Sequence, residues 1–155
     1  MNRLRTLSTL VFAASTAASC AFAGGGGGGG EGVDRIRPGG STTLAPYTPA
    51  VRANGFVFFS GQIGSRGREG LPSGVGEQTE QALENLENLL DASGVERADI
   101  VKCTVFLADI RDYEEMNEAY GRFFGDRPPA RSAVGVAGLP AGARVEIECI
   151  AKANP

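Results

Sequence analysis

Arg131 is the side chain in this sequence best placed to hold a ligand. Pro128-Pro129-Ala130 leads straight into it, and Ser132-Ala133-Val134 continues as a strand. Proline fixes φ and removes a backbone donor, so the approach to Arg131 has few conformations to lose. A guanidinium held that way suits a planar anion, whose two oxygens accept parallel hydrogen bonds from its fork. An arginine at the end of a surface strand would read the same in isolation. The second charged candidate is Glu146, in a run where charged and apolar residues alternate, Arg144-Val145-Glu146-Ile147-Glu148-Cys149. That alternation equally suits a solvated strand residue. Tyr47 and Asn117 offer polar groups that pattern alone assigns to packing, or to a polar helix face, as readily as to binding.

Histidine is absent from all 155 residues. That removes Ser-His-Asp triads, Cys-His dyads, His-ligated zinc and imidazole-based ribonuclease chemistry. Any catalysis must run on Arg, Glu, Tyr, Asn, backbone groups and water, and no cofactor is implied. Of the three cysteines, Cys20, Cys103 and Cys149, no two have CxxC spacing, so no metal site is expected. Cys103 and Cys149 are expected as buried free thiols, with a disulfide open to them only if their strands are neighbours.

Elements able to position these residues can be read along the chain. Val51 to Ala53 and Phe56 to Ser60 flank Asn54-Gly55, a type I′ hairpin signal. A glycine-rich loop follows to Gly76; it lacks the Lys-Ser/Thr of a phosphate cradle. Glu77 to Asp91 is helical, with Leu83, Leu86, Leu89 and Leu90 on one face and Gly94 placed to stop it. Ile100 to Leu107 alternates as a strand, with Val101, Cys103, Val105 and Leu107 on one side. Asp112 and Glu115 have capping-box spacing for a second helix, whose buried stripe is Met116, Tyr120, Phe123 and Phe124. Strands Arg131 to Val136 and Arg144 to Ala151 close the order β-β-α-β-α-β-β. Two helices cover one face of a single sheet, and the other face mixes Phe106 and Ile150 with Lys102 and Glu146. A small domain with such a second face is expected to cover it with another subunit.

The first residues differ in kind. Met1 to Arg5 is basic, Leu7 to Phe22 is apolar, and Ala21-Phe22-Ala23 supplies the small residues of a signal-peptidase site. The run is too short and too rich in Ala and Ser for a membrane span. Residues 1–23 are read as a signal peptide, placing the protein in the periplasm or outside the cell. The rival reading attaches a lipid at Cys20, although Ala17 stands where a lipobox carries Leu. Seven glycines, Gly24 to Gly30, open a flexible linker assigned to residues 24–40, and the domain is expected over residues 41–155. Without Arg3 and Arg5 the chain carries thirteen basic and eighteen acidic residues, net −5, with no basic cluster. Nucleic acid is a poor partner for such a surface.

Taken in order, these stretches resemble the Rid (RidA/YjgF) family of reactive-intermediate deaminases. The matching residues are Ala45-Pro46-Tyr47-Thr48-Pro49-Ala50-Val51, Ser60-Gly61-Gln62-Ile63, Gln78-Thr79 with Ala82-Leu83-Glu84-Asn85-Leu86, and Val101 to Leu107. Met116-Asn117-Glu118, Phe123-Phe124, Pro129-Ala130-Arg131-Ser132 and Val145-Glu146-Ile147-Glu148 complete them. The resemblance implies an α+β, chorismate-mutase-like fold, a homotrimer, and a pocket at each subunit boundary. It implies 2-imino acids and their enamine tautomers as substrates, hydrolysed to 2-keto acids and ammonia. By position, Arg131 would bind the substrate carboxylate and Glu146 would place the attacking water. Tyr47 and Asn117 would line the pocket, and Ser60 and Gly61 would present backbone groups. A protonated imine is already an activated electrophile, so one cation and one carboxylate suffice. Ala133 stands where many members carry cysteine, leaving only its backbone for the ligand. Gly135 and Gly138 replace a common Glu and Arg. The competing expectation is a carboxylate-binding module with the same pocket and no turnover.

Overall fold

The computed structural model describes residues 32–40 and 46–153. The expected signal peptide, Cys20 and residues 24–31 of the expected linker lie outside these residues. The linker's last part does not: Val33–Ile36 forms strand β1, antiparallel to β2 (Ala50–Ala53). β1 thus lies within the residues assigned to the linker. β1 is short, charged and mostly exposed, so it carries none of the apolar alternation that marks a strand in sequence.

β2 and β3 (Phe56–Ile63) form the expected hairpin, with φ of 49° at Asn54 and 77° at Gly55. Positive φ at both central residues is what a type I′ turn requires. Helix α1 (Val75–Ser93) follows, then β4 (Ile100–Leu107), α2 (Tyr113–Phe124), β5 (Ala130–Gly135) and β6 (Val145–Lys152). The six strands form one sheet in the order β1-β2-β3-β6-β4-β5. β5 runs parallel to β4 at the edge, while β6 inserts antiparallel between β3 and β4. The last two strands are thus not a hairpin, although the chain between them is short.

The core lies between the helices and one sheet face. Leu83, Leu86 and Leu90 of α1 and Met116 and Tyr120 of α2 pack with Val57, Val105, Val145 and Ile147. Strand alternation holds in β6, and in β4 with one exception. Register shifts between Ile100 and Lys102, so Ile100 is buried while Val101, expected inside, is 44% exposed. A bulge adds one residue and reverses parity beyond it.

Cys103 and Cys149 face each other across β4 and β6 and are joined as a disulfide, with Cα atoms 4.1 Å apart. The expectation of free thiols is corrected by topology, since β6 crosses over to become the neighbour of β4. The expected capping box at α2 is also absent. Asp112 makes no side-chain cap; it accepts two hydrogen bonds from Arg144, at 2.5 and 3.0 Å. Glu115 instead accepts from the N–H of Gly76 at 3.0 Å, tying α2 to the start of α1. Charge-assisted pairing with a guanidinium outcompetes a local cap for the same carboxylate.

Candidate active site

Parity along the strands decides where the charged candidates point. Arg131 lies opposite Cys103 in the parallel β4–β5 ladder and shares its helix-covered face. Nη2 of Arg131 donates to Asn117 Oδ1 at 2.7 Å and to the Tyr113 hydroxyl at 3.1 Å. The guanidinium also lies 4.5 Å from the centre of the Tyr120 ring, a cation–π arrangement. Asn117 and Tyr120 sit one turn apart on α2, so one helix face supplies both the edge acceptor and the aromatic floor. Tyr120 is 3% exposed, its hydroxyl has no hydrogen-bond partner among the described residues, and burial pushes its pKa up to about 12 against the pull of Arg131. Beside this cluster lies a hollow of about 280 Å³ lined by Asn117, Tyr120, Gly121, Gly125, Pro128, Pro129 and Arg131.

Glu146 lies opposite Phe106 in β4 and opposite Ile63 in β3, on the face the helices leave open. It lines a second hollow of about 460 Å³ with Tyr47, Ser60, Gly61, Ile63, Pro140 and Glu148. A bulge between Phe59 and Gln62 shapes this hollow. The Ser60 hydroxyl donates to the Thr48 carbonyl at 2.7 Å, and the Ser60 N–H to the Pro49 carbonyl, which pins the Tyr47 loop over β3. Gln62, which sequence reasoning did not single out, donates to the carbonyls of Ser60 and Gly61 and stiffens the bulge. Gly61 leaves room for the Glu146 carboxylate: a Cβ there would fall 1.8 Å from Glu146 Oε1 and push it aside. Burial, and then the charge of Glu148, raise the Glu146 pKa above its ordinary value. A half-buried carboxylate with a raised pKa is a better proton acceptor than a solvated one.

The candidate residues therefore fall into two groups on opposite faces of the sheet. Arg131 and Asn117 belong to one, with Tyr113 and Tyr120 added by the structure. Tyr47, Ser60, Gly61 and Glu146 belong to the other, with Glu148 added. Ala133 lines neither hollow; it packs against the core. Tyr120 was legible only as part of a buried stripe, and Tyr113 carried no signal, because neither reveals in sequence that Arg131 will lie against it. Among the described residues no helix is long and apolar enough to cross a membrane, and no cluster of three metal-ligating side chains occurs.

A sheet backed by two helices, with these hollows, has close counterparts. The family model described as Endoribonuclease L-PSP matches residues 40–153. The chain belongs to this family, the Rid (RidA/YjgF) family. The Bos taurus protein named 2-iminobutanoate/2-iminopropanoate deaminase is 43% identical over 114 residues, covering 72% of this chain and 83% of its own. Reactive Intermediate Deaminase A, chloroplastic, from Arabidopsis thaliana is 44% identical over 110 residues, 70% of this chain; the match spans 59% of that longer protein. Among solved structures, the Rid-family protein YyfA of Yersinia pestis superposes with a TM-score of 0.72 at 35% identity, covering 77% of this chain and 98% of its own. TdcF of E. coli, solved with bound serine, gives 0.67 at 38% identity over 72% of this chain and 91% of its own.

Proposed function

We propose that this protein hydrolyses small 2-imino acids and their enamine tautomers to 2-keto acids and ammonia, in a site closed between copies of the chain. The observation that carries the reading is the pairing of two hollows. One holds a guanidinium fixed by Asn117, the other a half-buried Glu146 of raised pKa, and a single chain keeps them on opposite faces. A second copy brings Arg131 of one protomer against Glu146 of the next. Exposed apolar groups on the open face, Phe56 at 42%, Phe58 at 45% and Val134 at 41%, support burial there. A ring of three is the assembly the family resemblance implies. The names of the bovine and plant relatives support the reaction, and the serine bound to TdcF supports a ligand carrying an α-carboxylate.

In this reading Arg131 receives the substrate carboxylate and holds the C=N carbon near Glu146. Water adds to that carbon as Glu146 takes its proton, giving a carbinolamine. Return of the proton to nitrogen makes ammonia the leaving group, and the C–N bond breaks as the ketone forms. The iminium charge is met by Glu146 and Glu148 on the same hollow. The family description names an endoribonuclease, but a chain without histidine and with an acidic second hollow does not favour a phosphodiester.

The test supplies several imino acids in situ with an amino-acid oxidase and follows keto-acid formation and ammonia release. Acceleration over spontaneous hydrolysis is expected. No acceleration with any imino acid, while pyruvate still binds, would leave a carboxylate-binding module. We place the protein outside the cytoplasm. The Cys103–Cys149 disulfide supports that placement, because such bonds persist in oxidising compartments. Mass spectrometry of the protein from its natural host should find Gly24 first; an intact Met1 start would overturn export, and a lipid on Cys20 would favour the anchored form.

A further inference from the structure

Arg131 offers five N–H donors, and its hydrogen-bond partners among the described residues both lie on Nη2: Asn117 Oδ1 at 2.7 Å and the Tyr113 hydroxyl at 3.1 Å. A carboxylate gripped by two parallel hydrogen bonds takes one edge of the guanidinium, either Nε with Nη2 or Nη1 with Nη2. Both edges include Nη2, which already serves two acceptors. An arriving carboxylate must therefore displace one acceptor. Asn117 makes the shorter bond, and its amide oxygen can only accept. Tyr113 makes the longer one, and a hydroxyl freed from accepting can turn and donate. Its ring stays beside the guanidinium, 5.7 Å from ring centre to Cζ.

We propose that Tyr113 is part of the carboxylate-binding device, its hydroxyl accepting from Arg131 in the empty site and turning to donate to the ligand carboxylate in the filled one. The proposal rests on the reading of Arg131 as the carboxylate anchor. It makes the site respond to a ligand end that can accept from both a guanidinium and a phenol, which a carboxylate does and an amide does poorly. The contact forms in ground and transition states alike, so its loss should appear in binding and not in turnover.

Titration of the full-length protein with pyruvate and steady-state deaminase kinetics, on wild type, Tyr113→Phe and Arg131→Ala, decide the matter. The phenylalanine keeps the ring against Arg131 and removes one oxygen. For Tyr113→Phe the pyruvate Kd and the KM should rise roughly five- to twentyfold, as for one lost hydrogen bond to a charged group partly offset by the freed Arg131 donor. kcat and the thermal midpoint should be unchanged, which separates binding from a structural role. Affinity for pyruvamide, which lacks the charge, should fall less than affinity for pyruvate. Equal or tighter pyruvate binding by Tyr113→Phe would overturn the proposal and leave the hydroxyl as a competitor. Wild type failing to bind pyruvate, with Arg131→Ala no different, would overturn the carboxylate reading of Arg131 and this inference with it.

Discussion

Glu146 is the residue whose environment differs most from what its position in an alternating strand suggests. Burial and the neighbouring Glu148 both disfavour its charge, so its pKa in the folded protein stands above the ordinary 4.5. A group raised in this way contributes stability below its unfolded pKa and loses that contribution as pH rises through the folded value. At neutral pH a chain whose Glu146 faces no neighbouring guanidinium therefore bears the cost of a charged Glu146. In an Arg131→Ala background, which removes that cation, Glu146→Gln should unfold at a higher temperature there, and the gap should close as pH falls below the ordinary carboxylate range; scans at one protein concentration check this. The same variant should lose turnover roughly 10²–10⁴-fold while still binding pyruvate, because the amide can hold water but cannot take its proton. Glu148→Gln removes one cause of the shift and should move the acid limb of the pH–rate profile downward. Gly61→Ala places a methyl where Oε1 lies, so its turnover should drop toward that of Glu146→Gln with the fold intact. An unaltered rate would show that Glu146 works from another position. Sequence suggested Arg131 and Glu146 by residue type and resemblance, but the shift on Glu146 depends on a bulge and a glycine that only the folded strands reveal.

Elements with strong periodicity were legible: the Asn54-Gly55 hairpin, the leucine face of α1, and the alternation of β4 and β6. What escaped depends on contacts between elements. β1 has no apolar alternation. The bulge at Val101 reverses parity without a marker in composition. Asp112 leaves its capping box because Arg144, more than thirty residues on, reaches it first. The disulfide required knowing that β6 inserts beside β4. It closes a loop of 46 residues through the core and should contribute about 2–4 kcal/mol, chiefly by restricting the unfolded chain. Replacing both cysteines by alanine should lower unfolding free energy by that order, as denaturant titration would show. Protein cleaved after Ala23 should show no free thiol in denaturant until reductant is added. Two thiols titrating without reductant would contradict the pairing.

At the scale of the molecule, the sheet separates the cation from the carboxylate. Arg131 turns toward α2 and Glu146 toward the open face, so no rotation of side chains within one chain is needed if a neighbour supplies the other half. Light scattering at micromolar concentration should give about three times the monomer mass. The sharper measurement is complementation. Arg131→Ala and Glu146→Gln, each inactive alone, are unfolded together in equal amounts and reassembled. If each site takes Arg131 from one copy and Glu146 from the next, random assembly gives both native residues at about one site in four, for any closed ring. Activity should recover to about a quarter of wild type, against none in either variant reassembled alone. A mixture as inactive as its components would contradict a site shared between copies.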